Sequence, residues 1–163
     1  MLCEKSEEPN DCFTDKKTPD GMKIASPDNM QYRLYVPTSW HCNSQSERSQ
    51  AYYPESGKPN VTVTSYSPQN VMTAEEYFEE CQKEYEKMLE GYSLISVEDK
   101  TVADRTAKSY VYSATASGRE MRIMQTVLVY NDMVYSITYT AFAESFEAHL
   151  DDVYSMLDAF TFR

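Results

Sequence analysis

EMRIMQTVLVYNDMVYSITYTAFAESFEAHLDDVYSMLDAFTF, residues 120–162, is the stretch that decides the fold. Two apolar arms of equal length flank Asn131 and Asp132, residue types that tolerate the left-handed backbone of a two-residue hairpin turn. The arms therefore predict two antiparallel strands with Tyr130 opposite Met133. On one side the predicted pairs are Leu128 with Tyr135, Thr126 with Ile137 and Met124 with Tyr139, and on the other Val129 with Val134, Val127 with Ser136 and Gln125 with Thr138.

Both sides of this hairpin have apolar residues, which predicts a central pair of strands that is covered above and below. The stretch then continues into an amphipathic helix. Ser145 is the predicted N-cap of this helix, and Glu144 and Glu147 lie near the positive end of the helix dipole. The apolar residues step by four, three, four and three positions, as one buried helix face requires: Phe146, Leu150, Val153, Leu157 and Phe160.

The composition of the 163-residue chain fits a single domain with a sizeable core. A formal charge of -11, from 26 acidic and 15 basic side chains, opposes binding to nucleic acid or anionic lipid by bulk attraction. With 14 Tyr and only 4 Gly, the chain favours strands and lacks the glycines of phosphate-binding loops. We therefore expect no nucleic-acid partner.

The four cysteines are Cys3, Cys12, Cys42 and Cys81, and no two have the CxxC spacing of a zinc ribbon or a thioredoxin-like motif. We therefore expect neither a metal nor a cofactor. Four thiols permit three complete disulfide pairings, and the sequence leaves the disulfide state open. Cys81 lies on the apolar stripe of a predicted helix, where a buried free thiol behaves as a small hydrophobic side chain.

The N-terminal residues 1–20 have no helical or strand period and predict a flexible acidic tether to a single domain, residues 21–163. Cys3 followed by EKSEEPND is typical of the start of a mature bacterial lipoprotein, in which a lipidated cysteine anchors the domain. Met1 and Leu2 are not the small residues expected before such a cysteine, so this interpretation requires a trimmed leader or a misplaced start. The alternative is a cytoplasmic protein with an acidic N-terminus.

Two small hairpins are predicted in the first half of the chain. Residues 22–25 and 30–36 flank a Ser-Pro-Asp-Asn turn, and residues 51–53 and 61–66 flank a second breaker sequence. In the first hairpin Tyr32, Leu34 and Val36 are expected to face inward. Pro37 ends its second arm, and Trp40 is expected to close one end of the core.

A helix is predicted after residue 72, because Thr73 and Glu76 have the spacing of a capping box and Gly91 suits a left-handed stop. Its predicted apolar stripe is Tyr77, Cys81, Tyr85 and Met88, widened by Phe78 and Leu89. The acidic residues Glu75, Glu76, Glu79 and Glu80 are explained better by the helix dipole than by a metal site. Strands over residues 94–102 and 107–114 and a Ser117-Gly118 turn complete the domain.

This order of elements predicts an α+β fold, an antiparallel sheet flanked by helices. The segment YRLYVPTSW, residues 32–40, resembles the opening of PsbP-like and DcrB-like domains, and residues 127–162 resemble their closing hairpin and helix. The resemblance implies a Mog-type α/β/α sandwich and a non-enzymatic protein, often a secreted bacterial lipoprotein. PsbP is an extrinsic photosystem subunit and the similar Mog fold binds the small GTPase Ran, so an accessory or protein-binding role is implied.

Candidate catalytic groups are few. His149 lies beside the apolar stripe of the last helix and is expected to be solvated, while the neighbours His41 and Cys42 should point apart on an extended chain. Two carboxylate pairs, Asp151-Asp152 and Glu98-Asp99, show no sign of a raised pKa in the sequence. We therefore expect no enzyme and assign no catalytic, cofactor-binding or metal-binding residue.

Two functions follow from the sequence. The first is a non-catalytic, extracytoplasmic accessory or protein-binding module on a bacterial membrane, with an unknown protein or envelope component as its partner and an open oligomeric state. Its functional surface is expected in the loops after Pro37 and Tyr53 or on the outer faces of the helices. The alternative is a small-ligand binder or unrecognised enzyme with a tyrosine-lined pocket made by Tyr52, Tyr53, Tyr66, Tyr110 and Tyr112.

Overall fold

A computed structural model describes residues 17–44, 48–56 and 58–163. Cys3, Cys12 and most of the predicted tether lie outside the described residues. The elements in chain order are β1 (Met22–Ile24), β2 (Tyr32–Arg33), β3 (Tyr35–Pro37), β4 (His41–Cys42), β5 (Ser49–Tyr52), β6 (Asn60–Tyr66), α1 (Ala74–Met88), β7 (Ser93–Val102), β8 (Arg105–Ala116), β9 (Arg119–Tyr130), β10 (Met133–Phe142), a 3₁₀ turn (Glu147–His149), α2 (Leu150–Ala159) and β11 (Thr161–Phe162).

A seven-stranded antiparallel sheet in the order β4-β5-β6-β10-β9-β8-β7 forms the middle layer. Tyr130 lies opposite Met133, and all six other predicted hairpin pairs have the predicted register. Asn131 and Asp132 have φ values of 48° and 62°, as a two-residue turn with left-handed residues requires. The prediction of an α+β fold with this hairpin at its centre is confirmed.

Helices cover the two faces of the sheet unequally. On one face α2 completes a core that includes Trp40, Leu128, Tyr139 and Leu157. On the other face α1 covers a smaller cluster with Phe78 at its centre: Phe78, Tyr110, Tyr112, Ala114, Ile123, Val127 and Val134. None of the helices in residues 17–44, 48–56 and 58–163 is long and apolar enough to cross a membrane.

The first predicted hairpin forms, but its second arm is divided. β1 pairs with β3, whereas β2 pairs with the last strand, β11, so that Tyr32 lies opposite Phe162. Tyr32, Leu34 and Val36 are buried as predicted. Trp40 is also fully buried, and its indole Nε1 donates a hydrogen bond to Asp152 Oδ2 at 2.8 Å, which fixes α2 against the end of the core.

α1 begins with the predicted capping box, in which Thr73 Oγ1 accepts from the Glu76 amide at 3.1 Å. Most of the predicted stripe faces the sheet, since Phe78 is buried and Tyr77, Tyr85 and Leu89 pack against the same cluster. Met88 is the exception, because it is 76% exposed and faces away from the core. Gly91 has the expected left-handed φ of 65° but lies two residues after the C-cap, Leu89.

The prediction that Ser145 caps the last helix is wrong. The Ser145 amide instead donates to the Phe142 carbonyl at 2.9 Å in a turn, and the chain enters α2 through the 3₁₀ turn without a side-chain cap. The predicted apolar face is nevertheless correct. Phe146, Val153, Leu157 and Phe160 are buried, and Met156 joins them at 1% exposure.

Candidate binding groove

An open groove of about 610 Å³ lies at the end of the sheet next to the start of α1. The segment before α1 forms one wall, and the β7–β8 hairpin forms the other. The capping box fixes the first wall, and a tight turn at Ala103 and Asp104, with φ values of 51° and 59°, sets the second. The lining residues are Val71, Met72, Thr73, Ala74, Glu75, Asp99, Asp104, Arg105, Thr106, Ala107, Lys108 and Val129.

The interior of the groove presents apolar groups to solvent. Val71 is 72% exposed, although burial of its apolar side chain would be energetically favourable. Met72, Ala74 and Val129 lie beside it and are half-buried against the core beneath α1. A partner that inserts an apolar side chain here would remove this surface from water.

The rim of the groove has charges of both signs. Lys108 Nζ forms ion pairs with Glu75 and with Asp99 Oδ1, the latter at 3.3 Å, and these hydrogen bonds, with Glu75 first, raise the pKa of Lys108. A lysine held by two carboxylates stays protonated, so it is not a candidate nucleophile. The Arg105 guanidinium lies 4.5 Å from the centre of the Tyr130 ring.

The five tyrosines proposed to line one pocket do not come together. Tyr52 and Tyr66, which are 39% and 49% exposed, lie on β5 and at the far end of β6. Tyr53 packs against Trp40 and His149 on the α2 side. Tyr110 and Tyr112 are buried under α1, where they contact Phe78 and Tyr85. Tyr53 faces the α2 side, and the other four tyrosines share the α1 side of the sheet but lie at separate positions on β5, β6 and β8, which a list of tyrosines in sequence does not reveal.

His149 is buried, and the expectation that it is solvated is wrong. Its Nε2 lies 2.7 Å from Glu55 Oε2, and its ring packs on Tyr53 at a centroid distance of 4.4 Å. The partner carboxylate comes from the loop after β5, 94 residues away. The irregular entry into α2 turns this position toward that loop, so that the pair ties the loop to α2.

His41, Cys42 and Cys81 do not line the groove. His41 and Cys42 are exposed on β4, and His41 packs near Tyr52 at 5.4 Å. Cys42 and Cys81 are free thiols, and burial raises the pKa of Cys81, which lowers the thiolate population that reactivity needs. Within residues 17–44, 48–56 and 58–163, no group of three His, Cys, Asp or Glu residues could hold a metal ion.

Three solved structures share this architecture. LpqN of Mycobacterium tuberculosis, described as involved in cell envelope biogenesis, has a TM-score of 0.65 at 13% identity over 86% of this chain and 89% of that chain. CyanoP, the cyanobacterial PsbP of Synechocystis sp. PCC 6803, has a TM-score of 0.62 at 11% identity over 88% and 93% of the two chains. The Ran-binding protein Mog1p of Saccharomyces cerevisiae has a TM-score of 0.60 at 9% identity over 86% and 95%.

No protein-family model matches this sequence, and no curated protein sequence has significant similarity to it. The structural likeness therefore shows the fold. The chain has the PsbP/Mog-type fold, an antiparallel sheet between helices, as the resemblance of residues 32–40 and 127–162 implied. The groove was not predicted from the sequence. The available signal was an isolated valine, Val71, between a Ser-Pro breaker and a capping box.

Proposed function

We propose that this protein is a non-catalytic accessory module that binds another protein through the groove at the start of α1, and that it works outside the cytoplasm on a membrane anchor. The exposed Val71 inside a groove of about 610 Å³ is the observation that supports the binding site. A cavity of this size accommodates one or two apolar side chains of a partner segment.

The rim favours a polypeptide as the occupant. Lys108 with its two partners Glu75 and Asp99 has a net charge of -1, and Asp104 and Arg105 add one charge of each sign on the adjoining hairpin. A polypeptide offers both signs along one chain, whereas a simple anion or cation is attracted by one of these groups and repelled by the other. The expected partner segment has an apolar anchor residue flanked by charged residues.

The proposed location rests on the sequence and on one neighbour. Cys3 precedes an acidic, polar segment of the kind that tethers a lipoprotein to its membrane. LpqN, which shares the fold, is described as involved in cell envelope biogenesis. We infer that Cys3 is the lipidated residue, and that residues 4–20 link it to the domain.

A pair of matched substitutions tests the groove. Val71→Asp replaces an apolar lining side chain of the groove by a charged one, whereas Met88→Asp introduces a charge at a similarly exposed apolar residue at the other end of α1. The expected result is that a partner captured by the wild-type chain is lost with Val71→Asp, by at least about tenfold, and retained with Met88→Asp. Equal capture by both variants would contradict the proposed site.

The anchor is tested separately by labelling cells that express the full-length gene with an alkyne fatty acid. The wild-type protein should take up the label and sediment with membranes, and Cys3→Ser should do neither, while Cys42→Ser should behave as the wild type. Label that persists in the Cys3→Ser protein, or a wild-type protein that takes up none, would contradict lipidation at Cys3.

A further inference from the structure

Strand β7 forms the edge of the sheet beside the groove. It is the last strand in the order of the seven-stranded sheet, has 10 residues, and within the described residues pairs with β8 alone. We propose that a basic, extended segment of a partner protein pairs with β7 as an added strand. The proposal rests on the partner-binding groove proposed above and extends it, because Asp99 of β7 also lines the groove.

The turn between β7 and β8 determines which backbone groups point to the open edge. In a two-residue hairpin the pair next to the turn, here Val102 and Arg105, exchanges both backbone hydrogen bonds, and the pairs then alternate along the ladder. Thr101, Asp99 and Val97 therefore belong to the pairs that exchange no hydrogen bonds. Their amide and carbonyl groups point away from β8, to the side where a further strand can bind.

A bulge sets the length of the edge that an added strand can use. The register of β7 on β8 shifts between Leu94 and Ser96, which bends the strand and interrupts the ladder. Residues 96–102 pair regularly, so a partner segment of about seven residues has a continuous edge to pair with. Val97 in this regular part has an apolar side chain that is 39% exposed.

The side chains of Val97 and Asp99 lie on the α1 side of the sheet. Val97 is opposite Tyr110, which is buried beneath α1. Asp99 forms an ion pair with Lys108, which is also paired with Glu75 of α1. Every second side chain of an added strand therefore lies on this side, next to β7 and α1.

Two contacts show which flank of α1 faces β7. Near the start of the helix, Glu75 is paired with Lys108 of β8. Near its end, Glu86 lies close to Tyr92, the residue before β7, whose pKa is raised first by burial and then by the carboxylate of Glu86. Glu79 is four residues after Glu75 and seven before Glu86, so it lies on the same flank.

The charges along this edge favour a basic segment. On the α1 side the edge has four carboxylates: Glu75, Glu79, Glu86 and Asp99. Lys108 is paired with two of them, while Lys83 and Lys87 lie on the outer face of α1. On the α2 side Lys100 is paired with Glu98 at 3.2 Å, so these two charges balance. The resulting excess of negative charge attracts lysine and arginine side chains.

The same charges oppose other occupants. A second copy of the chain would place two acidic β7 edges side by side, and like charges on paired strands are destabilising. Residues 1–16 of the chain are themselves acidic, with Lys5 and Lys16 against Glu4, Glu7, Glu8, Asp11 and Asp15. Nucleic acid and anionic lipid are repelled. A basic polypeptide has both the backbone groups that pair with β7 and the opposite charge.

The test is an NMR titration of the full chain with three synthetic peptides of about seven residues with blocked ends. The first alternates Lys and Val, and the second replaces each Lys by Glu. The third replaces each Val by Pro, which keeps the charge but prevents strand pairing. We expect the Lys-Val peptide to bind with a Kd of about 0.1 mM and to shift the amide signals of residues 96–102, and the other two to bind at least about tenfold more weakly.

Two double variants with the same change of charge test which flank of α1 is used. Glu79→Lys with Glu86→Lys reverses the charge on the flank that faces β7, and Glu80→Lys with Glu84→Lys reverses it on the outer face of the same helix. All four residues are exposed. The first pair should weaken binding of the Lys-Val peptide at least about fivefold and the second less than about twofold, with circular dichroism confirming that both variants fold.

Four results would overturn the added strand: no binding of the Lys-Val peptide, equal binding of the Lys-Pro peptide, equal effects of the two double variants, or shifts confined to residues 1–16. The groove and the edge fail separately. A natural partner that is lost with Val71→Asp but retained with Glu79→Lys and Glu86→Lys would support the groove and contradict the added strand. The converse result would support the edge and contradict the groove.

Discussion

At Gly91 a glycine is required for two reasons. Its φ is 65°, and a Cβ added there would lie 2.8 Å from Thr115 Oγ1, a close contact with a stiff β-branched side chain. Gly118 has a similar φ of 76°, but an added Cβ meets nothing within 4 Å. Alanine substitutions at the two glycines therefore distinguish the free-energy cost of backbone strain from that of the steric contact.

We predict that Gly118→Ala lowers the free energy of unfolding by about 1 kcal/mol, and that Gly91→Ala lowers it by roughly 1 kcal/mol more. Urea denaturation of the two variants measures the difference. Removing the contact in the double variant with Thr115→Ala should bring Gly91→Ala closer to Gly118→Ala. Equal losses in the two single variants would mean that Thr115 moves aside at no cost.

Single residues also show which features of the structure could not be predicted from the sequence. Trp40 was recognisable as a buried plug from its place after a strand and a proline, but its partner Asp152 was not, because it lies 112 residues later. His149 was placed on the solvated side of an ideal helix, yet the 3₁₀ entry and Glu55 bury it. Burial of a polar side chain depends on a partner that local pattern does not identify.

At the scale of the element, the packing of α1 on the sheet depends on Phe78. Phe78 is 7% exposed and packs on the Tyr110 ring at 4.6 Å, while Met88 projects into solvent. We predict that Phe78→Ala costs about 3 to 5 kcal/mol in unfolding free energy and that Met88→Ala changes it by less than about 0.5 kcal/mol. Thermal and urea unfolding of the two variants measure these changes in unfolding free energy. A larger loss for Met88→Ala than for Phe78→Ala would mean that Met88 belongs to the buried face of α1.

The tyrosines beneath α1 predict a loss of stability at alkaline pH. Burial is the main cause that raises the pKa of Tyr85 to about 12, and it also raises the pKa values of Tyr77, Tyr110 and Tyr112. An unfolded tyrosine releases its proton near pH 10. Between about pH 10 and 12 the folded chain thus holds protons that the unfolded chain has lost, so stability falls as pH rises.

Urea midpoints measured at about pH 9 and about pH 11 should show this fall, and the tyrosinate absorbance of Tyr85, taken as the difference between the wild type and Tyr85→Phe, should appear only as the chain unfolds. Tyr85→Phe removes one of the titrating groups and should make the fall shallower. Tyrosinate absorbance from these residues near pH 10 in a chain that is still folded would contradict the buried tyrosine layer.

Elements whose signals are local were predicted well. The β9–β10 register followed from Asn131, Asp132 and the equal arms, and the start of α1 followed from Thr73 and Glu76. Pairings between distant segments were not predicted: β2 joins β11 across the whole domain, with the Tyr130 and Phe162 rings stacked at 4.0 Å. Nothing in either segment alone specifies the other as its partner.

At the scale of the whole molecule, the two faces of the PsbP/Mog-type sheet are covered by helices to different extents. One face is closed by α2 around Trp40 and Leu157, and on the other α1 packs mainly on β8 and β9. The proposed groove lies on this second face, beside the start of α1. The sequence could not place the groove, because its lining comes from α1, the segment before it and three strands.

The proposed protein-binding role of the groove is tested most directly by site-specific photo-crosslinking in intact cells. A photo-reactive amino acid at position 71 should capture one protein partner, and the same group at position 88, equally exposed on the same side of the sheet, should not. Substituting Arg105→Glu on the groove rim should reduce the capture from position 71. Equal crosslinking from both positions, or none from position 71, would contradict a partner-binding groove at the start of α1.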